Sequence, residues 1–310
     1  MFEQLVLKEL VKNGYSVERG KRVWNIANHK LLYITPQLAQ GFLNLECWPR
    51  YKLNVVDREL DLIRFHVPRF FDGARGKLDV VDFGCGDGKK AEVFVTSLPS
   101  TIKAKYFPVD VSLPLIHLAK TRLRTRTSRT FSVGPSYTED FSSPDKLVRR
   151  IRARSDARAA YLLLGSTLAS FEINQFLFSM SRAMAHGGLL IVGNGIRTGK
   201  RFAGIEKYRQ PIFNEWFFSL MAGLGFSSSE VRYDARFANG RLEFFYHIKH
   251  DKVFVCEGKR IRFKAGDEIV VAIQYKYYAQ ELEKFCKMYF SHVRFFKDKA
   301  NECSLIFCIK

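Results

Sequence analysis

A short apolar run that ends in a glycine-rich turn limits the folds open to this chain more than any other segment. Leu78–Phe83 is followed directly by Gly84-Cys85-Gly86-Asp87-Gly88. An apolar, β-branched run that ends at glycine is typical of a buried parallel strand entering a tight turn. Glycines there let the backbone approach a ligand, and the next helix presents its positive amino end. We therefore predict a ligand-binding turn on a parallel sheet.

Strand-like and helix-like patterns alternate after this turn. Residues 104–110, 159–165 and 187–193 are strand-like, and residues 113–123 and 174–185 between them have helical spacing. Such alternation is typical of a parallel sheet with helices on both faces. The alternation stops near Gly195, so we expect a different module there.

The segment from Arg241 to Tyr278 predicts β-hairpins, joined by turns at His250–Lys252 and at Lys264–Asp267. A helix over 281–289 and two strand-like runs then return to the core pattern. We predict four segments, which are an N-terminal helical cap (1–71), a cofactor-binding Rossmann-like domain (72–194), an inserted substrate-binding module (195–280), and a C-terminal helix with strands that complete the sheet (281–310).

The charge of the chain is strongly positive, with 50 Lys and Arg against 31 Asp and Glu and a formal net charge of +19. A surplus of this size would attract a polyanion such as RNA. The basic residues are densest at Lys120–Arg126 and Arg149–Arg154, and solvated helix faces would explain the same runs. Charge therefore leaves a nucleic acid partner open without identifying it.

Cysteine spacing and hydropathy exclude other classes of protein. The six cysteines are scattered, without the paired spacing of a zinc site or a disulfide framework, so we expect no metal. The longest apolar runs are far shorter than the roughly 20 residues of a membrane helix. The acidic, amphipathic N-terminal segment is unlike a signal peptide. We predict a cytoplasmic protein with no membrane partner.

Features near the turn indicate a nucleoside cofactor, and two of them favour S-adenosylmethionine over a dinucleotide. Asp110 ends the second strand about 20 residues further on, where a carboxylate can accept both hydroxyls of a ribose, as it also would in a dinucleotide enzyme. The glycine spacing is Gly-x-Gly-x-Gly, and Asp82 precedes it, as is usual in methyltransferases. Asp140-Phe141 falls where a loop could contact adenine, although an ordinary loop pair would have the same spacing.

Further motifs, in their order and spacing, resemble the histidine-specific methyltransferase family of the ergothioneine type. The matching segments are Glu46–Pro49, Asp82–Lys90, Pro108–Ser112, Leu164–Thr167, Lys207-Tyr208, Phe213-Asn214, Arg241–Glu243, Phe263–Ile269 and Tyr275–Tyr277. The resemblance implies a class I methyltransferase fold, an α/β Rossmann-like doubly wound sheet with an inserted α+β substrate module. It also implies dependence on S-adenosylmethionine.

The turn and the resemblance together imply the residues of the site. The cofactor-binding residues would be Asp82, Gly84, Gly86, Gly88, Lys90, Asp110, Asp140 and Phe141, with Lys90 pairing with the cofactor carboxylate. The substrate-binding residues would be Gly165, Ser166, Thr167, Ser170, Asn214 and Gln274. Tyr33 and Tyr208 would be the catalytic residues, since they would meet the amino and carboxylate groups of the substrate. Either tyrosine could instead be a core aromatic residue.

Departures from the family pattern bear on the substrate. Ala272-Ile273-Gln274 stands where the family carries a Glu-x-Ser pair that holds the imidazole, Ser170 stands at a family Asn, and Cys47 replaces a tyrosine. A buried imidazole without its carboxylate would lose a hydrogen bond worth about 1.5–3 kcal/mol.

We therefore predict an N-methyltransferase that acts on an amino acid or related small amine rather than on histidine itself. Two alternatives stay open at this point. One is a methyltransferase that acts on RNA or another macromolecule. The other is a binding protein that keeps the cofactor fold without catalysis.

Overall fold

The computed structural model describes residues 2–18, 20–199 and 204–310, in which helices and strands alternate along much of the chain. The α-helices are α1 (Phe2–Asn13), α2 (Pro36–Cys47), α3 (Pro49–Tyr51), α4 (Asp57–Phe70), α5 (Lys89–Thr96), α6 (Leu113–Arg124), α7 (Asp145–Arg152), α8 (Ile173–Ala183), α9 (Pro211–Gly223) and α10 (Ala279–Tyr289). Short 3-10 helices lie at His29–Leu32, Thr167–Ser170 and Ile205–Tyr208, and a π-helical turn lies at Lys52–Val56.

The strands fall into two sheets and a separate hairpin. They are β1 (Tyr15–Glu18), β2 (Lys21–Asn25), β3 (Gly76–Phe83), β4 (Ile102–Asp110), β5 (Phe131–Val133), β6 (Tyr137–Thr138), β7 (Arg158–Leu163), β8 (Leu189–Gly195), β9 (Val231–Ala238), β10 (Arg241–Ile248), β11 (Lys252–Cys256), β12 (Lys259–Phe263), β13 (Glu268–Tyr275), β14 (His292–Lys297) and β15 (Cys303–Ile309).

The chain divides into two compact units. The first combines Met1–Trp48 with Gly199–Tyr275, and the second combines Pro49–Thr198 with Lys276–Lys310. The division into four segments that we draw from the sequence stays a prediction.

The sheet of the second unit has the strand order β14-β15-β8-β7-β3-β4-β5, with β6 also paired to β4. Strands β3 to β8 pair in parallel. The last strand, β15, runs antiparallel to β8 and pairs with β14 at the edge. A parallel sheet closed by two final strands is the predicted class I methyltransferase fold, which the structure confirms.

Helices cover this sheet on both faces because the strand side chains alternate between two apolar clusters. On one face, Val80 of β3 packs with residues of α4 and α5. On the other, Val81 and Phe83 of the same strand pack with residues of α7, α8 and α10. Burial on both faces explains why the strands are continuous apolar runs in the sequence.

The first unit contains a five-stranded sheet with the order β1-β2-β13-β10-β9. Strand β2 pairs in parallel with β13, and the other neighbours pair antiparallel. The N-terminal segment therefore supplies strands as well as helices, which its irregular pattern did not predict. The parallel partner of β2, β13, lies more than 240 residues away along the chain, so no local signal marks this pairing.

The predicted hairpins of this unit are joined differently from our expectation. Strand β10 pairs with β13, whereas β11 and β12 form a hairpin of their own. Its turn is Glu257-Gly258, where both residues have positive φ angles of 49° and 73°. This is the backbone geometry of a tight two-residue hairpin turn. The turns at His250–Lys252 and Lys264–Asp267 instead lead into and out of this hairpin.

We predict that Gly88→Ala destabilises the protein more than Gly73→Ala. Both glycines have left-handed φ angles, +78° and +70°, which cost an alanine about 1–2 kcal/mol. Only at Gly88 would the added Cβ collide with backbone, 2.8 Å from the Cα of Ala119 on α6, whereas no described atom lies within 4 Å at Gly73. Overpacking should add about 1–3 kcal/mol to the loss at Gly88. Urea denaturation measures both, and equal losses would contradict the packing.

Candidate active site

The glycine turn after β3 is tied to the end of β4. The N–H groups of Gly84 and Cys85 both donate to the carbonyl oxygen of Val109, at 2.8 and 3.2 Å. Gly84, Gly86 and Gly88 have φ angles of 70°, 52° and 78°, which glycine adopts without strain. The turn therefore holds its shape through backbone hydrogen bonds and leads directly into α5.

Asp110 lies beside this turn at the carboxyl end of β4, and its side chain is buried. Its Oδ2 accepts the N–H of Gly86 at 3.3 Å, and its Oδ1 accepts the N–H of Ser112 at 2.9 Å. These two backbone donors fix the carboxyl group of Asp110 against the glycine turn. The ribose-binding role of Asp110 stays a prediction, and the position of its carboxyl group beside the turn is compatible with that role.

Asp82 is buried under the turn and receives a hydrogen bond from the hydroxyl of Tyr106 at 2.8 Å. Burial raises the pKa of Asp82 to about 7, against the lowering effects of the Tyr106 hydrogen bond and the charge of Lys90. Tyr106 was missed in the sequence because an aromatic residue in a buried strand has no functional signature. Asp82 and Tyr106 form a polar pair inside the apolar layer.

Lys90 stands on the first turn of α5 and reaches the loop after β7. A Cβ placed on Gly165 would lie 3.3 Å from the Nζ of Lys90, so the ammonium group lies next to the backbone of this loop. The same charge lowers the pKa of Asp82. The structure thus brings the ends of β3 and β7 together at one cation.

The loop Gly165-Ser166-Thr167 is held by its own polar groups. The N–H of Ser166 donates to Gly193 O at 2.9 Å, and its Oγ accepts the N–H of Gly195 at 2.9 Å. Thr167 donates its hydroxyl to Leu164 O at 2.6 Å. Ser166 has a φ of 61°, a conformation that costs a non-glycine residue about 1–3 kcal/mol and often marks a functional loop. Ser170 ends the following 3-10 helix and is partly exposed.

Glu59 on α4 is a residue of this region that sequence reasoning missed. Its buried Oε1 accepts the N–H of Gly165 at 2.8 Å. A Cβ on Gly193 would lie 1.7 Å from that oxygen, so Gly193 is what makes room for the carboxylate. The sequence does contain one signal for it. Glu59 lies three residues before Leu62 and four before Ile63, so helical spacing places this acidic residue on the apolar face of an amphipathic helix.

Asp140 and Phe141 lie in different surroundings although they are adjacent in the chain. Asp140 is exposed, and its Oδ1 accepts the N–H of Ser142 at 2.9 Å. The ring of Phe141 is buried against Phe83 and Phe171, with ring centroids 5.5 and 5.7 Å away. Its Cζ lies 3.4 Å from a Cβ placed on Gly84, so the ring closes one side of the turn. Contact with adenine stays a prediction for both residues.

Tyr33 and Tyr208 lie in the first unit, at the two ends of one aromatic cluster. The ring of Tyr33 is 5.8 Å from that of Trp216, and the ring of Tyr208 is 5.9 Å from that of Phe244. Phe217 connects the two halves, 4.6 Å from Trp216 and 5.1 Å from Phe244. Both tyrosines are partly exposed, so packing and a catalytic role are compatible at each.

Gln274 and Asn214 belong to the same unit. Ala272 and Gln274 of β13 pair with Phe244 and Leu242 of β10, and residues two apart in a strand share one face of the sheet. Asn214 is exposed, and its Oδ1 accepts the Tyr246 hydroxyl at 2.9 Å. The predicted site residues therefore fall into two groups, one in each unit.

Two further findings concern classes of site. Within the described ranges, no three His, Cys, Asp or Glu side chains are grouped so that they could hold a metal ion. None of the helices in those ranges combines the length and the apolar character that crossing a membrane requires.

The raised pKa of Asp82 predicts a pH-dependent effect of Asp82→Asn. The folded protein holds this proton more tightly than the unfolded chain, so the wild type loses stability as pH rises from about 4 to about 7. Asparagine cannot ionise, so the free energy of unfolding of the variant minus that of the wild type should increase over this window. Chemical denaturation across the window measures it, with the exposed Asp61→Asn as control. A difference that does not change with pH would contradict the raised pKa.

We expect Glu59→Ala to be less stable than Glu59→Gln by about 1–3 kcal/mol. Glutamine keeps an oxygen that can accept the Gly165 N–H, whereas alanine leaves this buried donor without a partner. Both variants remove the charge, so their difference reports the lost acceptor together with the lost packing of the buried side chain. The free energy of unfolding in urea is the measurement, and equal stability of the two variants would exclude the role of Glu59 as an acceptor.

Several solved methyltransferase structures resemble the chain, all at low sequence identity. An amino pentose methyltransferase from Micromonospora echinaspora, CalS10, has 12% identity and a TM-score of 0.41, with 81% of this chain and 92% of that chain covered. A putative methyltransferase from Thermobifida fusca has 12% identity and a TM-score of 0.48, with coverages of 90% and 96%. The CMeT domain of the citrinin polyketide synthase has 12% identity and a TM-score of 0.48, and the chain covers 59% of its length while 91% of this chain is covered.

No curated protein matches the chain. The family model described as histidine-specific, SAM-dependent methyltransferase matches residues 47–310, which include the glycine turn, Asp110 and the loop after β7. The family resemblance predicted from the motifs is confirmed. The chain belongs to the family of histidine-specific, SAM-dependent methyltransferases.

Proposed function

We propose that this methyltransferase transfers a methyl group to the nitrogen of an amino acid or a related small amine other than histidine. The observation that carries the proposal is the character of β13. Ala272 and Gln274 occupy the positions at which the family resemblance implies an acidic and a hydroxyl side chain for the imidazole. Neither residue is charged. They share a sheet face with Phe244, whose ring contacts that of Tyr208.

The residues around the glycine turn fit S-adenosylmethionine. Gly84 has a left-handed φ of +70°, and a Cβ there would lie 3.3 Å from the side chain of Thr167, so glycine suits this tight turn. Asp110 would bind the ribose hydroxyls, and Lys90 would pair with the carboxylate of the methionine part. When bound, the cofactor supplies a methyl group on a sulfonium. Backbone N–H groups of Gly86 and Ser112 hold the buried Asp110 carboxyl group beside the turn, where a ribose would lie.

The acceptor nitrogen must present a lone pair, so the protein has to bind the amine in its neutral form or allow its proton to leave. Tyr33, Tyr208 and Gln274 carry groups that can donate or accept a hydrogen bond without adding charge. Such groups can orient the lone pair, and water can take the proton. Alignment of nucleophile and methyl group contributes most of the catalysis in a displacement of this kind.

The uncharged pair Ala272 and Gln274 on β13 disfavours histidine in particular. The imidazole N–H would find the amide of Gln274 in place of a carboxylate, and a hydrogen bond to a charged group is worth about 1.5–3 kcal/mol. That loss corresponds to roughly 10- to 150-fold in affinity. A methyl acceptor whose side chain needs no charged partner would lose no binding affinity through this replacement.

The RNA alternative draws on the positive charge, and part of that charge is engaged within the protein. Arg122 pairs with Asp87 at 2.8 Å, and Arg126 pairs with Glu92 at 2.7 Å. These ion pairs occupy two of the cations in the basic run 120–126. The run is thus partly a structural feature of α5 and α6, which lowers its value as evidence for an RNA substrate.

A methyl-acceptor screen tests the proposal. The purified protein is incubated with S-adenosylmethionine and each of the common amino acids, their decarboxylated amines, or RNA, and products are identified by mass spectrometry. We expect an N-methylated amino acid or amine, with kcat/KM for histidine at least about tenfold lower than for the best acceptor. Methylated RNA with no small-molecule product would overturn the proposal, as would histidine as the best acceptor.

Calorimetry on the same purified protein tests whether Asp110 binds the cofactor. Asp110→Ala should weaken S-adenosylmethionine binding by about tenfold or more in calorimetry, because two ribose hydroxyls lose a charged acceptor. The exposed Asp61→Ala is the control for loss of one negative charge. Equal affinity in both variants would remove Asp110 from the site.

A further inference from the structure

A groove of about 1000 Å³ lies in the second unit, at the amino ends of β7 and β8. Its polar lining includes Arg149, Arg152, Arg158, Asp156 and His186, and we call it the amino-edge groove. The glycine turn follows β3 and the Gly165–Thr167 loop follows β7, so both lie at the carboxyl edge of the same parallel sheet. Because β7 has six residues at about 3.3 Å each, the two edges are about 20 Å apart. The amino-edge groove is therefore separate from the candidate active site.

Three arginines against one aspartate give this lining a surplus of positive charge. Arg158 donates its Nε–H to Gly187 O at 2.7 Å, and Arg152 donates to Ala183 O. A carbonyl oxygen orients a guanidinium without neutralising it. Both groups are thus held in place while they keep their full charge and further N–H donors. Arg149 forms no ion pair with another residue of the described ranges.

Helix capping explains part of this arrangement. Arg149 and Arg152 lie on the last turn of α7, where cations interact favourably with the helix dipole. Arg158 begins β7 and belongs to no helix, so the dipole does not account for it. Its guanidinium reaches the same groove from the sheet. Convergence of cations from two elements on one cavity indicates a ligand.

The chemistry of the lining points to phosphate groups. Guanidinium groups offer paired N–H donors whose spacing matches phosphate oxygens. The lining includes the small residues Ala157, Ala185 and Gly187, which let a ligand approach the backbone closely. Apart from the imidazole of His186, it offers no ring on which a nucleic acid base could stack, and stacking contributes much of single-strand binding.

We propose that the amino-edge groove binds a compact polyphosphate anion, either an inorganic oligophosphate or the triphosphate of a nucleotide. The phosphate chain is bound by the charge and the N–H donors of arginines from α7 and β7. A site about 20 Å from the cofactor turn has room for this ligand and S-adenosylmethionine together. The site serves binding, and no chemical step takes place there.

The test is calorimetric titration of the full chain with tripolyphosphate, ATP and AMP at low and at high salt. We expect tripolyphosphate and ATP to bind and AMP to bind at least about tenfold more weakly, since it has one phosphate. Binding should weaken steeply with salt. Similar affinity for tripolyphosphate and ATP identifies the phosphate chain as the ligand group, and tighter ATP binding assigns the site to a nucleotide.

Variants locate the binding. Arg149→Gln removes a cation whose side chain forms no ion pair within the described ranges. We expect about five- to tenfold weaker tripolyphosphate binding. Arg158→Lys keeps the charge but loses the anchor to Gly187, and it should weaken binding as well. Arg124→Gln, also on the last turn of a helix and exposed, is the matched control and should change affinity less than twofold. Binding of S-adenosylmethionine should be unchanged in all three.

Three results would overturn the proposal. One is no tripolyphosphate binding at low salt. Another is equal weakening by Arg124→Gln and Arg149→Gln, because general charge would then suffice. The third is binding of RNA that Arg149→Gln weakens while tripolyphosphate does not bind, since the groove would then recognise a polymer. Thermal unfolding of Arg149→Gln shows whether a loss of binding comes from a loss of folding.

Discussion

One carbonyl oxygen, that of Val109, accepts hydrogen bonds from both Gly84 and Cys85. This shared acceptor ties the turn after β3 to the end of β4 and sets Asp110 against the N–H of Gly86. A turn without this connection would be a mobile loop, and the carboxylate would have no fixed relation to it. The geometry of the predicted cofactor residues in this unit depends on that backbone contact more than on any side chain.

The cost of the arrangement lies in the acidic groups buried around it. Asp82, Asp110 and Glu59 are all less than 10% exposed, and burial of an ionised carboxyl without partners is strongly unfavourable. Each has a specific hydrogen-bond donor in the Tyr106 hydroxyl, the Gly86 N–H or the Gly165 N–H. A buried carboxyl group with a raised pKa, such as that of Asp82, is a common mark of a functional site. The three carboxyl groups lie around the turn and the loop after β7.

The predicted site residues of the first unit have a different character. Tyr33 and Tyr208 lie in an aromatic cluster and Gln274 lies on an uncharged stretch of β13, whereas the predicted cofactor residues of the second unit are mainly charged side chains and backbone groups. Family membership thus identifies S-adenosylmethionine as the methyl donor. The identity of the methyl acceptor depends on the few side chains that differ from the family pattern. The specificity of an enzyme is a difference between affinities, and a single lost charge partner is large enough to change it.

The sequence by itself determined the parallel sheet, the glycine turn and the acidic residue at the end of β4. These features have local signals, because a buried strand, a turn and a helix start each extend over fewer than about a dozen residues. The tertiary structure alone decided the contact of Glu59 with Gly165, which are 106 residues apart, and the bond from Tyr106 to Asp82 between neighbouring strands. It also decided that β2 joins β13, since strand pairing over such a separation depends on the whole packed core. Local periodicity cannot encode which distant groups meet, because that outcome is set by the packing of complete elements against one another.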